Sequence, residues 1–322
     1  MNRGRRWFSR ALALVALGSL ATPLRAQSGP MRLMVGFTAG SIADLVAHAL
    51  AEQFRRAFDV SVTVDNRPGL NGRSAARSVQ DAPPDGNMLL VTPSSSLVLL
   101  PHVDREAGFT PVDFVPLAQL VENDFAIAIG AQHPAANLKE YASWCIAHPA
   151  LAMFVTPGTG SVAHLLAAQL ARALEMSAAH TPYSSINFAL NDMAAGQISC
   201  IVAPTYMLVQ PMRAATVRVL ATSGQSRATA MPSVSTLREL GLDGITHTEA
   251  VWLLASAGTP EAIASRVSAA ALAALKSVEM GRVISGPAQE APLAARELAV
   301  RMRQLYEERG AVVRALGFNA QS

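Results

Sequence analysis

Two short stretches hold the residues best suited to binding chemistry. The first is Phe37-Thr38-Ala39-Gly40-Ser41-Ile42-Ala43-Asp44, and the second is Thr156-Pro157-Gly158-Thr159-Gly160-Ser161-Val162-Ala163-His164. In each, glycine and hydroxyl residues stand where a strand-like run gives way to a helical one. A helix start leaves backbone N–H groups without intrahelical partners and carries the positive end of the dipole, so it favours an anion. The pair reads as two halves of a carboxylate clamp, with Thr38, Ala39, Gly40 and Ser41 on one side and Thr156, Gly158, Thr159, Gly160 and Ser161 on the other. Taken singly, Ser41 and Ser161 read equally well as N-caps, each worth about 1 kcal/mol to its helix. His164, in the first helical turn, offers an imidazole that either donates to a ligand or packs against its own loop.

Other candidates are more ordinary. Ser94, in Pro93-Ser94-Ser95-Ser96, closes a third strand and adds a hydroxyl to the ligand-facing set. Tyr183, in Thr181-Pro182-Tyr183-Ser184-Ser185, either walls a cleft or is half-buried packing. Arg67, in Asp65-Asn66-Arg67-Pro68-Gly69, either pairs with an anion or braces a neighbouring loop through its fork of donors.

Signatures of catalysis are absent: there is no G-x-S-x-G, H-E-x-x-H, P-loop lysine or C-x-x-C. Gly224-Gln225-Ser226-Arg227-Ala228 is nearest to a nucleophile elbow, but alanine replaces the second glycine, and it reads as a turn. The seven histidines show no metal-like spacing. Neither a metal nor a cofactor is expected, and catalytic residues are expected to be none. Cys145 and Cys200, the only cysteines, lie in apolar runs that suit buried free thiols better than a bridge.

The elements that must position the two loops alternate between strand and helix, the pattern of an α/β protein with mainly parallel sheets. Strands are expected over 32–37, 60–64, 88–92, 125–129, 152–156, 198–203, 217–222 and 251–255. Helices are expected over 41–58, 71–79 and 161–174, with an alanine-rich helical region from 260 to 275 and again from 293 to 316. In open α/β sheets, ligands sit beyond the carboxyl ends of strands, where both loops lie.

The N-terminal stretch reads as an export signal: Arg3, Arg5 and Arg6 precede the apolar run 11–21 and a small-residue site ending at Ala26, and Arg5-Arg6 also suits a twin-arginine signal. Without 1–26 the chain holds 21 basic against 23 acidic residues, near neutrality, and shows no basic stripe of the kind nucleic acid requires. The remaining residues suffice for two lobes: 27–121 as the first part of lobe 1, 122–224 as lobe 2, and 225–322 as the return to lobe 1. The chain would cross between them near Val121 and Gly224. Monomer is the default expectation for a closing two-lobed protein.

At this level of detail the chain resembles the Bug-type (TctC-like) solute receptors of tripartite tricarboxylate transporters. The resemblance runs from about 31 to 316 and rests on ordered landmarks: VGFTAGSIAD at 35–44, VDNRPGLNG at 64–72, PPDGNMLLVTPSS at 83–95, VTPGTGSVAHL at 155–165, HTPYSSINFALNDMAAGQI at 180–198 and LLASAGTP at 253–260. It implies a type II periplasmic-binding fold, two α/β lobes joined by crossing strands. By position it implies that Thr38, Ala39, Gly40, Ser41, Thr156, Gly158, Gly160, Ser161 and His164 surround a ligand carboxylate, with no cofactor. The implied partners are a small carboxylate and a membrane permease, and the implied location is the periplasm. Three positions depart from the pattern. Ser41 follows Gly40 where a second glycine is usual, Ser184 and Ser185 follow Tyr183 where lysine and glycine are usual, and Ala203-Pro204 stand where a strand usually ends in aspartate. Two other readings are a sensor using the same pocket to signal to a membrane kinase, and a periplasmic hydrolase using Ser226 or Ser161 with a histidine base.

Overall fold

The computed structural model of the chain describes residues 29–183, 185–284 and 289–318. The expected export segment, 1–26, and Ser184 lie outside them. Ten strands occur among the described residues: β1 (Met31–Val35), β2 (Val62–Asn66), β3 (Met88–Pro93), β4 (Phe114–Gly130), β5 (Met153–Thr156), β6 (Ala179–Pro182), β7 (Cys200–Pro204), β8 (Val217–Thr222), β9 (Thr248–Ser256) and β10 (Gln289–Ala294). The helices are α1 (Ile42–Phe58), α2 (Arg73–Gln80), α3 (Ser95–Val98), α4 (Leu100–Val103), α5 (Leu138–Ala147), α6 (Val162–Ala173), α7 (Ile186–Ala194), α8 (Thr205–Arg213), α9 (Glu261–Ala273), α10 (Val278–Ile284) and α11 (Ala295–Leu316).

The strands form two sheets that share β4. Its first part pairs with β9 from Phe114 to Asp124, and its last residues pair with β7 and β8 from Phe125 onward. The first lobe's strand order is β2-β1-β3-β9-β4, with β10 on the other edge of β4; the second continues as β4-β7-β5-β6, with β8 beside β4. The parallel expectation holds for β1 with β2 and β3 and for β5 with β6 and β7. It fails at the centre, where β9, β7, β8 and β10 all run antiparallel to β4 and β9 runs antiparallel to β3 as well.

Each sheet is covered on both faces. In the first lobe β1, β3 and β9 bury Leu33, Leu89 and Leu253 against α1 and α9 through Leu50, Phe54 and Val267. Their opposite faces bury Met34, Leu90 and Trp252 against α2 and α11. In the second lobe, Ile127 and Phe154 pack against α5 and α6, while Ala128 and Ile201 meet α7 and α8 on the other face. Cys145 and Cys200 are free thiols buried in the α5–α6 cluster. Ala228, Met231, Leu237 and Ile245, from the stretch 225–247, also pack into its clusters. No described helix is long and apolar enough to cross a membrane.

One polar pair pins the first lobe. Trp252, fully buried, donates its indole N–H to Gln119 Oε1 at 2.9 Å, and Gln119 Nε2 donates to Ala291 O at 3.0 Å, tying β9, β4 and β10 together. Trp252→Phe removes the indole N–H with its pyrrole ring and leaves a buried amide oxygen unpaired; the lost bond alone costs about 1–3 kcal/mol, and the cavity left by the smaller ring adds to it. Urea unfolding of the variant is expected to show a lower midpoint with an unchanged slope.

Candidate functional site

The two candidate loops are built to one plan. Gly40 precedes α1 with φ +83° and Gly160 precedes α6 with φ +74°, conformations that a side chain disfavours. Ser41 and Ser161 are the N-caps, their hydroxyl oxygens accepting from Asp44 N–H at 3.3 Å and His164 N–H at 3.2 Å. The third helical side chain then reaches back: Asp44 Oδ2 accepts from Gly40 N–H at 2.8 Å, and His164 Nδ1 accepts from Gly160 N–H at 3.1 Å. The Ser41 and Ser161 N–H groups close tight turns onto Thr38 O and Gly158 O. Each loop thus locks itself, one through a carboxylate and the other through an imidazole.

This locking changes which donors remain open. The N–H groups of Gly40, Ser41, Gly160 and Ser161, expected to face a ligand, already have partners. Those of Ala39, Ile42 and Ala43 in the first loop, and of Thr159, Val162 and Ala163 in the second, have none among the described residues. Ile42, Ala43, Val162 and Ala163 were not named by the sequence reading, because apolar side chains draw no attention to the backbone that carries them. The Thr38 and Thr159 hydroxyls are likewise without a described partner, and Thr38 and Ala39 are exposed.

Four of the expected ligand residues make contacts within their own lobes. Thr156 is fully buried; its hydroxyl lies 2.8 Å from His180 Nε2 and 3.2 Å from Gly158 O. The His164 ring stacks on His180 with centroids 3.4 Å apart and abuts Phe318. It therefore packs inside its lobe. Burial, then the neighbouring His180, pull its pKa down to about 3, and burial lowers His180 as well. Ser94 is buried and its hydroxyl accepts from Ala250 N–H at 3.2 Å, fastening β3 to β9. The Tyr183 hydroxyl donates to Asp192 in α7 at 2.8 Å, which raises its pKa.

Across the cleft, the first lobe reaches the second loop through Asn71, which sequence reasoning placed in a helix. Instead Leu70–Gly72 form a separate tight turn, with Leu70 and Asn71 both at positive φ. Asn71 Nδ2 donates to Thr159 O at 3.2 Å, and Asn71 O accepts from the Ser96 hydroxyl at 3.0 Å. Arg67 braces this region as one reading expected, bonding Asp65 at 3.1 Å and Ser78 at 3.2 Å.

The geometry gives no support to a serine nucleophile. Ser161 donates its hydroxyl hydrogen to Gly158 O at 2.7 Å, and His164 Nδ1 is occupied by Gly160, so no base faces the hydroxyl. Ser226 is exposed and makes no described bond to a histidine, while Arg227 beside it is held by Glu239.

Comparison with known proteins follows the architecture. A family model described as "Tripartite tricarboxylate transporter family receptor" matches residues 46–292. The chain is 30% identical over 263 residues to the "UPF0065 protein in gbd 5'region" of Cupriavidus necator, covering 80% of this chain and 79% of the relative. Among solved structures it is similar to MatC of Rhodopseudomonas palustris with bound malate, with TM-score 0.76, 25% identity and coverage of 89% of this chain and 99% of the other. It also shares its fold with R. palustris Rpa4515 with adipate, with TM-score 0.80, 21% identity and coverage of 91% and 98%.

Proposed function

Because the chain belongs to the tripartite tricarboxylate transporter receptor family, we propose that it captures a small carboxylate in the cleft between its lobes and delivers it to a membrane permease. The observation that carries this reading is the facing pair of self-locked helix starts, bridged by Asn71, whose remaining N–H groups are free to receive an anion. A relative of the same architecture has malate bound, and the two donor loops together suit one carboxylate group of such a ligand. The work is done in the periplasm after export through 1–26, as a monomer.

The lobe division 27–121, 122–224 and 225–322 is proposed with one adjustment. Residues 225–247 go with the second lobe, whose clusters they complete, so the return crossing is β9. The proposed ligand shell is Thr38, Ala39, Ile42 and Ala43 from the first loop, Thr159, Val162 and Ala163 from the second, and Asn71. Gly40, Ser41, Gly158, Gly160 and Ser161 shape those loops.

The test is a melting screen of residues 27–322, refolded after denaturation to strip any co-purified ligand, against dicarboxylates, tricarboxylates, aromatic acids and amino acids. An acid at 100 times its dissociation constant should stabilise the chain by about 2.7 kcal/mol. If no acid raises the melting temperature at millimolar concentration, the carboxylate reading is wrong.

A further inference from the structure

Glu249, near the start of β9, holds a position that the carboxylate clamp leaves unused. It lies opposite Asn123 on β4 and two residues before Val251, which pairs with Pro93 at the carboxyl end of β3. Ser95 at the start of α3 directs its backbone N–H to Glu249 Oε1 at 3.4 Å. From the other lobe Tyr206, the second residue of α8, packs against the first core, and burial followed by the Glu249 charge lifts its hydroxyl to about 12. These groups stand at the carboxyl ends of β3 and β7, the ends that border the cleft.

Little in the protein satisfies this carboxylate. The charge of Arg309 acts on it, but no ion pair joins the two, and Arg309 Nη1 bonds His247 Nδ1 instead. Burial raises the Glu249 pKa, yet the residue keeps part of its surface accessible. An ionised carboxyl has about four acceptor sites, and a buried charge short of partners is costly. Because β1, β3 and β9 are consecutive in the sheet and strands are spaced about 4.8 Å apart, Glu249 lies about 10 Å from the loop that follows β1.

We propose that Glu249 sets the selectivity of the cleft by accepting a hydrogen bond from a hydroxyl or amine at the far end of a ligand whose carboxylate is held by the paired loops. This rests on the carboxylate reading above. A ligand ending in a second carboxylate would set like charge against Glu249, so the preferred class is a linear monocarboxylate with a terminal donor.

The test compares 6-aminohexanoate, 6-hydroxyhexanoate and adipate, which share a chain length and differ at one end, by calorimetric titration of the refolded chain and of Glu249→Gln. The native chain is expected to bind one of the donor-ended acids at least about tenfold more tightly than adipate, the scale of one hydrogen bond to a charged group. Glu249→Gln, whose melting without ligand checks its folding, is expected to lose that preference. The native preference stands as a measurement even if the variant does not fold. Adipate bound as tightly as both donor-ended acids overturns the role of Glu249 while leaving the receptor reading intact. So does a screened acid that binds where all three probes fail and that Glu249→Gln binds equally well. Failure of every acid to bind overturns the receptor reading itself.

Discussion

Gly36→Ala is expected to lower the melting temperature by several degrees and to weaken ligand binding together with it. A β-carbon placed at Gly36, just beyond β1, would sit 2.3 Å from the Gly72 α-carbon and 3.1 Å from its carbonyl carbon and oxygen. These are backbone atoms, so no side-chain rotation relieves the clash. Gly72 in turn has the Phe37 ring and the Ser96 hydroxyl against it, at 3.2 and 3.0 Å from where its own β-carbon would fall. The turn at Leu70–Gly72 must therefore move as a unit, and Asn71 with it. Overpacking of this kind costs about 1–3 kcal/mol, or about 2–4 °C of melting temperature per kcal/mol in a chain of this size. Thermal melting with and without a bound acid separates the two effects. An unchanged melting temperature would show that the turn yields freely, and Asn71 would then be a poor candidate for holding the second loop.

Acidification from pH 7 to pH 5 is expected to destabilise the protein, with His164 a principal cause. Its folded pKa of about 3 lies below the ordinary value near 6.5. Between those values the unfolded chain takes up a proton that the folded chain refuses, so the stability present above pH 6.5 is lost as pH falls toward 3. At pH 5 that amounts to about 2 kcal/mol for this one group, from 1.36 kcal/mol per pH unit. His180, lowered by burial, and His247, lowered by burial and then by Arg309, act in the same direction. Asp124 and Glu249, both raised by burial, act in the opposite one, gaining stability as pH drops through their folded values. Melting temperatures measured across this range should fall, and His164→Asn should reduce the slope by close to one proton. An identical slope in the variant would mean that His164 titrates normally. Protonation also has a local effect, because a protonated Nδ1 cannot accept the Gly160 N–H that sets the loop.

Much of this architecture was legible in the residues, and the exceptions have physical causes. Ser41 and Ser161 cap their helices because glycine, serine and three further residues spell out a helix start locally. The full length of β4 was not legible. Pro116 interrupts its pattern at a register shift, and Glu122-Asn123-Asp124 read as a loop until their partners on β9 are known. β10 was read past because Gln289–Ala294 contains Pro292 within alanine-rich surroundings and pairs only through distant β4. In the candidate site, the loops as helix starts were legible but the hydrogen bonds within them were not. Asp44 and His164 take up the glycine N–H groups, a contact that depends on how each side chain folds back over its own turn. Asn71 and Glu249 gain their positions from chain segments some ninety to one hundred and fifty residues away, which no local pattern records.

The last helix links the two lobes. α11 has 22 residues and spans about 33 Å. Leu298, Met302 and Leu305 bury its first half in the first lobe, whereas Val313 and the following Phe318 enter the core of the second, where Phe318 closes over His164. Arg172 of α6 also donates to Ala315 O at 2.6 Å. Any motion that parts the lobes must bend this rod or withdraw its tip, so opening works against a restoring force rather than about a free pivot. Shortening the tip before Phe318 would act like cutting a leaf spring: the lobes would swing further apart, and the rate at which ligand leaves would rise even though no residue touching it had changed.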